Sequence, residues 1–281
     1  MKKTLFNASL EESMNLVTDN YIQTSMEDIN EKGYWRKIIG FFTVLFFMLC
    51  IYWVGIYTDN HPEGRPYFIK AATLMLIPLL IGILPTCYYL LETRKIKNNR
   101  VLSYYYYNKN MFVIMGCLYI QGVIFSIIAA SLVLGNILGT AIYVLLFLFV
   151  GLDRYQWFKQ DTLKALYGQQ SFNNPLARFL DYFVTFSKKY GGIVILLLFI
   201  LRLFLPGEGD IYHNELFRTL GLLGFPLVML LGLYFITALG ADNFQGYYLQ
   251  KYLEDYRQLS DYSIEEWYGK KSKMYKESLK K

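Results

Sequence analysis

Met111–Leu152 reads MFVIMGCLYIQGVIFSIIAASLVLGNILGTAIYVLLFLFVGL, and its 42 residues include no Asp, Glu, Lys, Arg or His. As one α-helix it would be about 63 Å long, roughly twice the ~30 Å hydrocarbon core of a bilayer. The stretch must therefore fold back on itself. Gly135-Asn136 is the turn signal inside it, which gives a helical hairpin of Met111–Leu134 and Ile137–Leu152. A paired hairpin this apolar has no place in a water-soluble core.

The rest of the chain agrees. Of its 281 residues 54% are hydrophobic and 18% charged, against about 25% charged in a typical soluble domain. Ile38–Tyr57 is a further uncharged span, and Lys70–Leu91 another with its one charge at the leading edge. Gly191–Pro206 is short and is expected to draw on the amphipathic stretch before it. Leu216–Leu239 completes the set, with Arg218 near its start. The expected fold is an all-α integral membrane protein with six spans, at about 38–57, 70–91, 111–134, 137–152, 191–206 and 216–239, forming one transmembrane domain, 38–239. The first apolar run follows a polar head, so it reads as an uncleaved span rather than a signal peptide.

Basic residues orient the spans. Head 1–37 holds 5 Lys and Arg, loop 92–110 holds 5, loop 153–190 holds 6 and tail 240–281 holds 8, whereas 58–67 holds only Arg65 and 135–136 and 207–215 none. The positive-inside rule then puts the head, both long loops and the tail in the cytoplasm, with both termini inside a cell membrane. The net charge of +6 is thus a topology signal, and no nucleic acid is expected as a partner. A lysine, tyrosine and phenylalanine bias suggests a bacterial source.

The polar segments should carry short amphipathic helices. Ser9–Glu12, Thr24–Asp28 and Ser263–Glu266 have capping-box spacing. After Asn174-Pro175, Leu176, Phe179, Leu180, Phe183 and Val184 recur at helical spacing, as Tyr248, Leu249, Tyr252, Leu253 and Tyr256 do in the tail. Such faces suit the membrane interface or a cytoplasmic protein partner, and Phe179, Phe183, Tyr248, Tyr252 and Tyr256 are the candidate contact residues.

Chemistry is sparse. None of the six spans contains Asp or Glu, which counts against proton relays and intramembrane aspartyl proteolysis. Gly207–Asp210 matches the GxGD string of such proteases, but in an outer loop. No HExxH, GxSxG or Walker A motif is present. No catalytic residue and no cofactor is expected. Cys50, Cys87 and Cys117 lie in apolar segments without metal spacing.

The candidate functional polar residues are Arg202, Gln121, Arg218 and Lys70. Arg202 either snorkels or pairs with Glu208 or Asp210, or faces inward to hold an anionic group. Gln121 is placed for hydrogen bonding across helices. Pro78, Pro85 and Pro226 bend or hinge their spans. His61 and His213 share the outer loops with Asp59, Glu63, Glu208, Asp210 and Glu215, and are the candidates for a metal or pH-sensing site.

The expected role is non-enzymatic: a membrane protein acting through protein interaction, in self-protection against a secreted toxin or as a scaffold for envelope machinery. The alternative is a permease subunit. In topology alone the chain is similar to the membrane subunits of small ABC exporters, which also have six spans and both ends inside, and in which a cytoplasmic loop docks an ATPase subunit.

Overall fold

The computed structural model describes residues 3–60, 70–95, 100–134, 137–169, 215–270 and 272–279. Among them there is no strand. The helices are α1 Leu10–Met14, α2 Asp19–Asn60, α3 Ala71–Lys95, α4 Arg100–Leu134, α5 Ile137–Leu166, α6 Glu215–Lys251, α7 Leu253–Leu259, α8 Ile264–Tyr268 and α9 Lys273–Ser278.

Four helical stretches are long and apolar enough to cross a membrane: Gly33–Asn60, Ala71–Glu92, Val101–Ser131 and Thr140–Leu166. A shorter apolar run, Gly221–Leu230, lies within α6. These coincide with the first four expected spans and with part of the sixth. The fifth, 191–206, lies outside the described residues, as do Arg202, Phe179, Phe183, His61 and His213.

Helices run past the expected span limits. α4 begins at Arg100, so most of the second half of loop 92–110 is helix, and α5 continues fourteen residues beyond Leu152. The added turns bury Val101, Leu102, Tyr105, Ala165 and Leu166. Tertiary burial extends the helices beyond the stretches that an uncharged apolar run marks.

α4 is the central helix and packs against α2, α3, α5 and α6. Phe42, Phe46, Phe47, Trp53, Leu80, Leu84, Leu145 and Phe149 stand exposed around this bundle. A continuous apolar exterior of that kind belongs against lipid. Close approach inside the bundle relies on glycine. A Cβ on Gly232 would lie 2.4 Å from the Tyr119 ring, and one on Gly55 2.7 Å from Met75 Sδ.

α2 is two helices joined at Gly33, whose φ of 60° is open to glycine and costly for most residues. The first piece starts where Thr18 accepts from the Tyr21 N–H at 3.2 Å. The capping box expected at Thr24–Asp28 is therefore absent. Thr24 and Ser25 lie inside the helix and donate back to the Asn20 and Tyr21 carbonyls at 2.7 and 2.8 Å. The other two boxes form, at Ser9 with Glu12 and at Ser263 with Glu266.

Candidate functional site

Residues 3–9 precede any helix and carry backbone groups that no ladder satisfies. Side chains of α6 and the tail serve them instead. Tyr248 donates to the Leu5 carbonyl at 2.7 Å and accepts from the Ala8 N–H at 3.2 Å. Tyr252 donates to the Ala8 carbonyl at 2.8 Å. Lys251 donates to the carbonyls of Phe6 and Ala8, both at 3.2 Å. Just past the end of α5, Tyr167 accepts from the Thr4 N–H and donates to its carbonyl, at 3.1 and 3.0 Å.

The clasp continues along the tail. Tyr256 and Ser13 hydroxyls are 2.8 Å apart. Ala8, Leu16, Val17, Tyr21, Leu102, Leu166, Leu249, Trp267 and Tyr268 close over one another in a single apolar core. Burial pushes the Tyr248 and Tyr256 hydroxyls up to about 12, so both stay protonated donors at any physiological pH. Arg257 beside Glu254, at 2.6 Å, holds that carboxyl below its ordinary range. The head, the start of α4, the ends of α5 and α6, and the tail thus form one cap at one end of the bundle.

Two ionic contacts join cap to bundle. Lys37, just after the Gly33 break, turns inward and pairs with Asp28, both about 2% exposed. Ser103 accepts a second bond from Lys37 at 3.2 Å, and the Tyr107 ring lies 5.2 Å from the ammonium. Glu92, at the end of α3, takes Lys109 at 3.0 Å and Asn110 at 2.9 Å from α4.

A cleft of about 280 Å³ opens on the cap between α2, α4 and α6, lined by Thr18, Asn20, Tyr21, Thr24, Tyr104, Asp242 and Gln245. Burial pushes the Asp242 carboxyl up to about 6, and a hydrogen bond from Gln245 at 3.4 Å offsets part of that rise. Asp242 lies beyond Leu239, the inner limit of the sixth expected span.

The sequence candidates fall in different places. Gln121 is fully buried in the bundle and donates to the carbonyls of Met48 at 3.0 Å and Met75 at 3.1 Å, so one side chain links α2, α3 and α4. Lys70 is exposed just ahead of α3, and Arg218 sits in the first turn of α6. Asp59 caps α3, accepting from the N–H groups of Ala71 and Ala72 at 2.8 and 2.9 Å. Tyr248, Tyr252 and Tyr256 meet the head of their own chain. Among the described residues, no three His, Cys, Asp or Glu side chains come together as metal ligands would.

Sequence reasoning missed Tyr167, Lys251, Asp28 and Asp242. One signal was present for the clasp: Leu5, Phe6 and Ala8 put apolar residues ahead of the first capping box, where no helix buries them. No family model matches the chain, and no match was found among curated proteins or among solved structures.

Proposed function

We propose that the chain is a non-enzymatic, six-span protein of a bacterial cytoplasmic membrane, with both termini in the cytoplasm, that works by binding another protein. Self-protection against a secreted toxin, or scaffolding of envelope machinery, is the role in view. The cap is the observation that carries this reading. A membrane anchor needs only its spans, yet this chain folds both ends and three helix ends into one packed body. The basic-residue count supports a cytoplasmic cap. The Gln121 link across α2, α3 and α4 favours a fixed bundle over one that opens a path.

The test is purification of tagged protein in mild detergent from its native host, with identification of what accompanies it. A stoichiometric toxin or envelope-assembly protein supports the reading. A stoichiometric ATPase overturns it and makes the chain a permease subunit. Membrane-impermeant labelling checks the topology: single cysteines at Ser9 and Ser263 should be protected in intact cells, and one at Glu63 should react.

A further inference from the structure

We propose that a groove at the end of α5 binds a phosphate group, and that its place on the helix assigns that phosphate to an anionic phospholipid. The inference rests on α5 spanning a bilayer and on no protein partner. The groove holds about 260 Å³ and is lined by Lys3, Gln160, Leu163, Lys164, Tyr167 and Gln169. Head and helix meet there because Tyr167 bonds both backbone groups of Thr4. The next residue back, Lys3, then sets its ammonium over the Tyr167 ring, 4.7 Å from the centroid.

The lining is rich in donors and has no charged acceptor. Among the described residues, Lys3 and Lys164 form no ion pair, and the Gln160 and Gln169 side chains form no hydrogen bond. No acidic side chain lines the groove. The Tyr167 hydroxyl is spent on Thr4 in both directions. Two ammonium groups and two amides therefore border one space with N–H groups to give, and an anion with several acceptor oxygens completes such a set. At about 260 Å³ the space is of head-group size rather than drug size.

Position on α5 selects the source of the phosphate. Ile142, Leu145, Phe149 and Leu152 are 61 to 73% exposed and lie three or four residues apart, so they form one lipid-facing row. Further steps of three or four carry that row through Gln156 to Gln160 and Leu163, with Lys164 beside them. About twenty residues from Ile137 cover the ~30 Å hydrocarbon core and end at Gln156, next to Trp157 at the interface. Gln160 and Lys164 follow about 6 and 12 Å further along. Their side chains lean toward the helix N-terminus, back to the bilayer, which brings amide and ammonium to the head-group layer. An acyl chain laid along the row from Ile142 to Leu152 thus delivers its phosphate to the groove, and basic pockets at the ends of spans suit such head groups.

Native mass spectrometry of the full-length protein in detergent counts bound lipid and tests this, with dioleoyl phosphatidylglycerol as the probe. Dioleoyl phosphatidylcholine, whose own cation opposes the lysines, and soluble glycerol 1-phosphate are the controls. The expected result is one phosphatidylglycerol held at least about ten-fold more tightly than either control. Lys3→Gln with Lys164→Gln should cut that preference to about two-fold or less. The same loss of charge placed in α9, Lys273→Gln with Lys276→Gln, should leave it intact. Gln160→Glu, which puts a carboxylate into the lining at an exposed position, should lower it independently of the lysines. Thermal unfolding in lipid-free detergent checks that each variant folds. The absence of a preference for phosphatidylglycerol would overturn the proposal, as would an equal loss in the α9 variant or an unchanged preference in Gln160→Glu. Glycerol 1-phosphate bound as tightly as the lipid would overturn the lipid assignment and point to a free phosphate.

Discussion

The bundle and the cap solve the same problem, burying a chain, by opposite means. In the bundle the helices satisfy their own backbones, so side chains are free to be apolar and glycine sets how closely they approach. Its inter-helix polar contacts reach carbonyls that already belong to a helix: Gln121 on Met48 and Met75, Tyr119 on Met229, Tyr143 on Leu223. In the cap a seven-residue segment without helix is held by hydroxyls and one ammonium, and there the bonds serve backbone groups that no helix satisfies. The difference teaches where substitution should hurt. A polar contact added to a finished helix is worth little, whereas one that completes an unfinished backbone, or neutralises a buried charge, is worth much.

The largest effect should come from the buried pair at the border. Lys37→Met leaves Asp28 charged and buried, with an expected loss of about 3–5 kcal/mol in a denaturation titration in mixed micelles. Lys37→Met together with Asp28→Leu should recover most of it, because two apolar residues replace two buried charges. Failure of the double variant to recover would show that the pair does more than neutralise itself.

Next is Asp242, where the expected change is a gain. Its carboxyl is raised to about 6 in the folded chain, against about 3.9 in an unfolded one. Its contribution to stability is therefore complete below about pH 4 and lost as pH rises through about 6. Asp242→Asn should stabilise by up to about 3 kcal/mol at pH 7.5 and change little at pH 4. An equal shift at both pH values would mean that packing, not charge, sets the effect.

The bundle was legible in the sequence and the cap was not, for a physical reason. Lipid imposes one rule on every residue of a span, so Ile38–Tyr57 and Lys70–Leu91 announce themselves by composition. The long helices that end at Leu134 and begin at Ile137 were readable in the same way. The cap depends on pairs 240 or more residues apart, such as Ala8 with Tyr248 and Ser13 with Tyr256, and no local period encodes those. Tyr248, Tyr252 and Tyr256 were visible as a stripe; its partner was invisible, because seven residues without helix carry no pattern. Lys37 was misleading in another way. It reads as a flanking charge at the membrane surface, and only the break at Gly33 lets Asp28 fold back to cover it. Asp242 gave no signal, since what sets its carboxyl apart is burial by α2 and α4.

A smaller loss is expected at the clasp. Tyr248→Phe keeps the ring in the core and removes two bonds to the head, at Leu5 and Ala8. The expected cost is about 1–3 kcal/mol, the penalty for leaving buried backbone groups unpaired. Its location is the sharper test. Hydrogen exchange and protease cleavage should rise over residues 3–9 while the amides of α3 and the middle of α4 stay protected. Uniform loosening of the whole chain would mean that cap and bundle are one cooperative unit.

Gln121→Leu should cost least, although Gln121 is fully buried in the bundle. The carbonyls of Met48 and Met75 keep their places in their own helices, so its loss orphans neither. Its own Oε1 has no hydrogen-bond partner, and leucine removes that buried acceptor along with the two donors. Leucine also fills nearly the same volume. Inter-helix hydrogen bonds of this kind average about 0.6 kcal/mol and reach about 1.7, so the net loss should lie near the lower figure. A loss as large as that of Lys37→Met would place the bundle under the same rule as the cap and erase the contrast between them. A small loss with faster exchange confined to α2 and α3 would instead show what one amide contributes: a fixed register among three helices that lipid and packing already hold together.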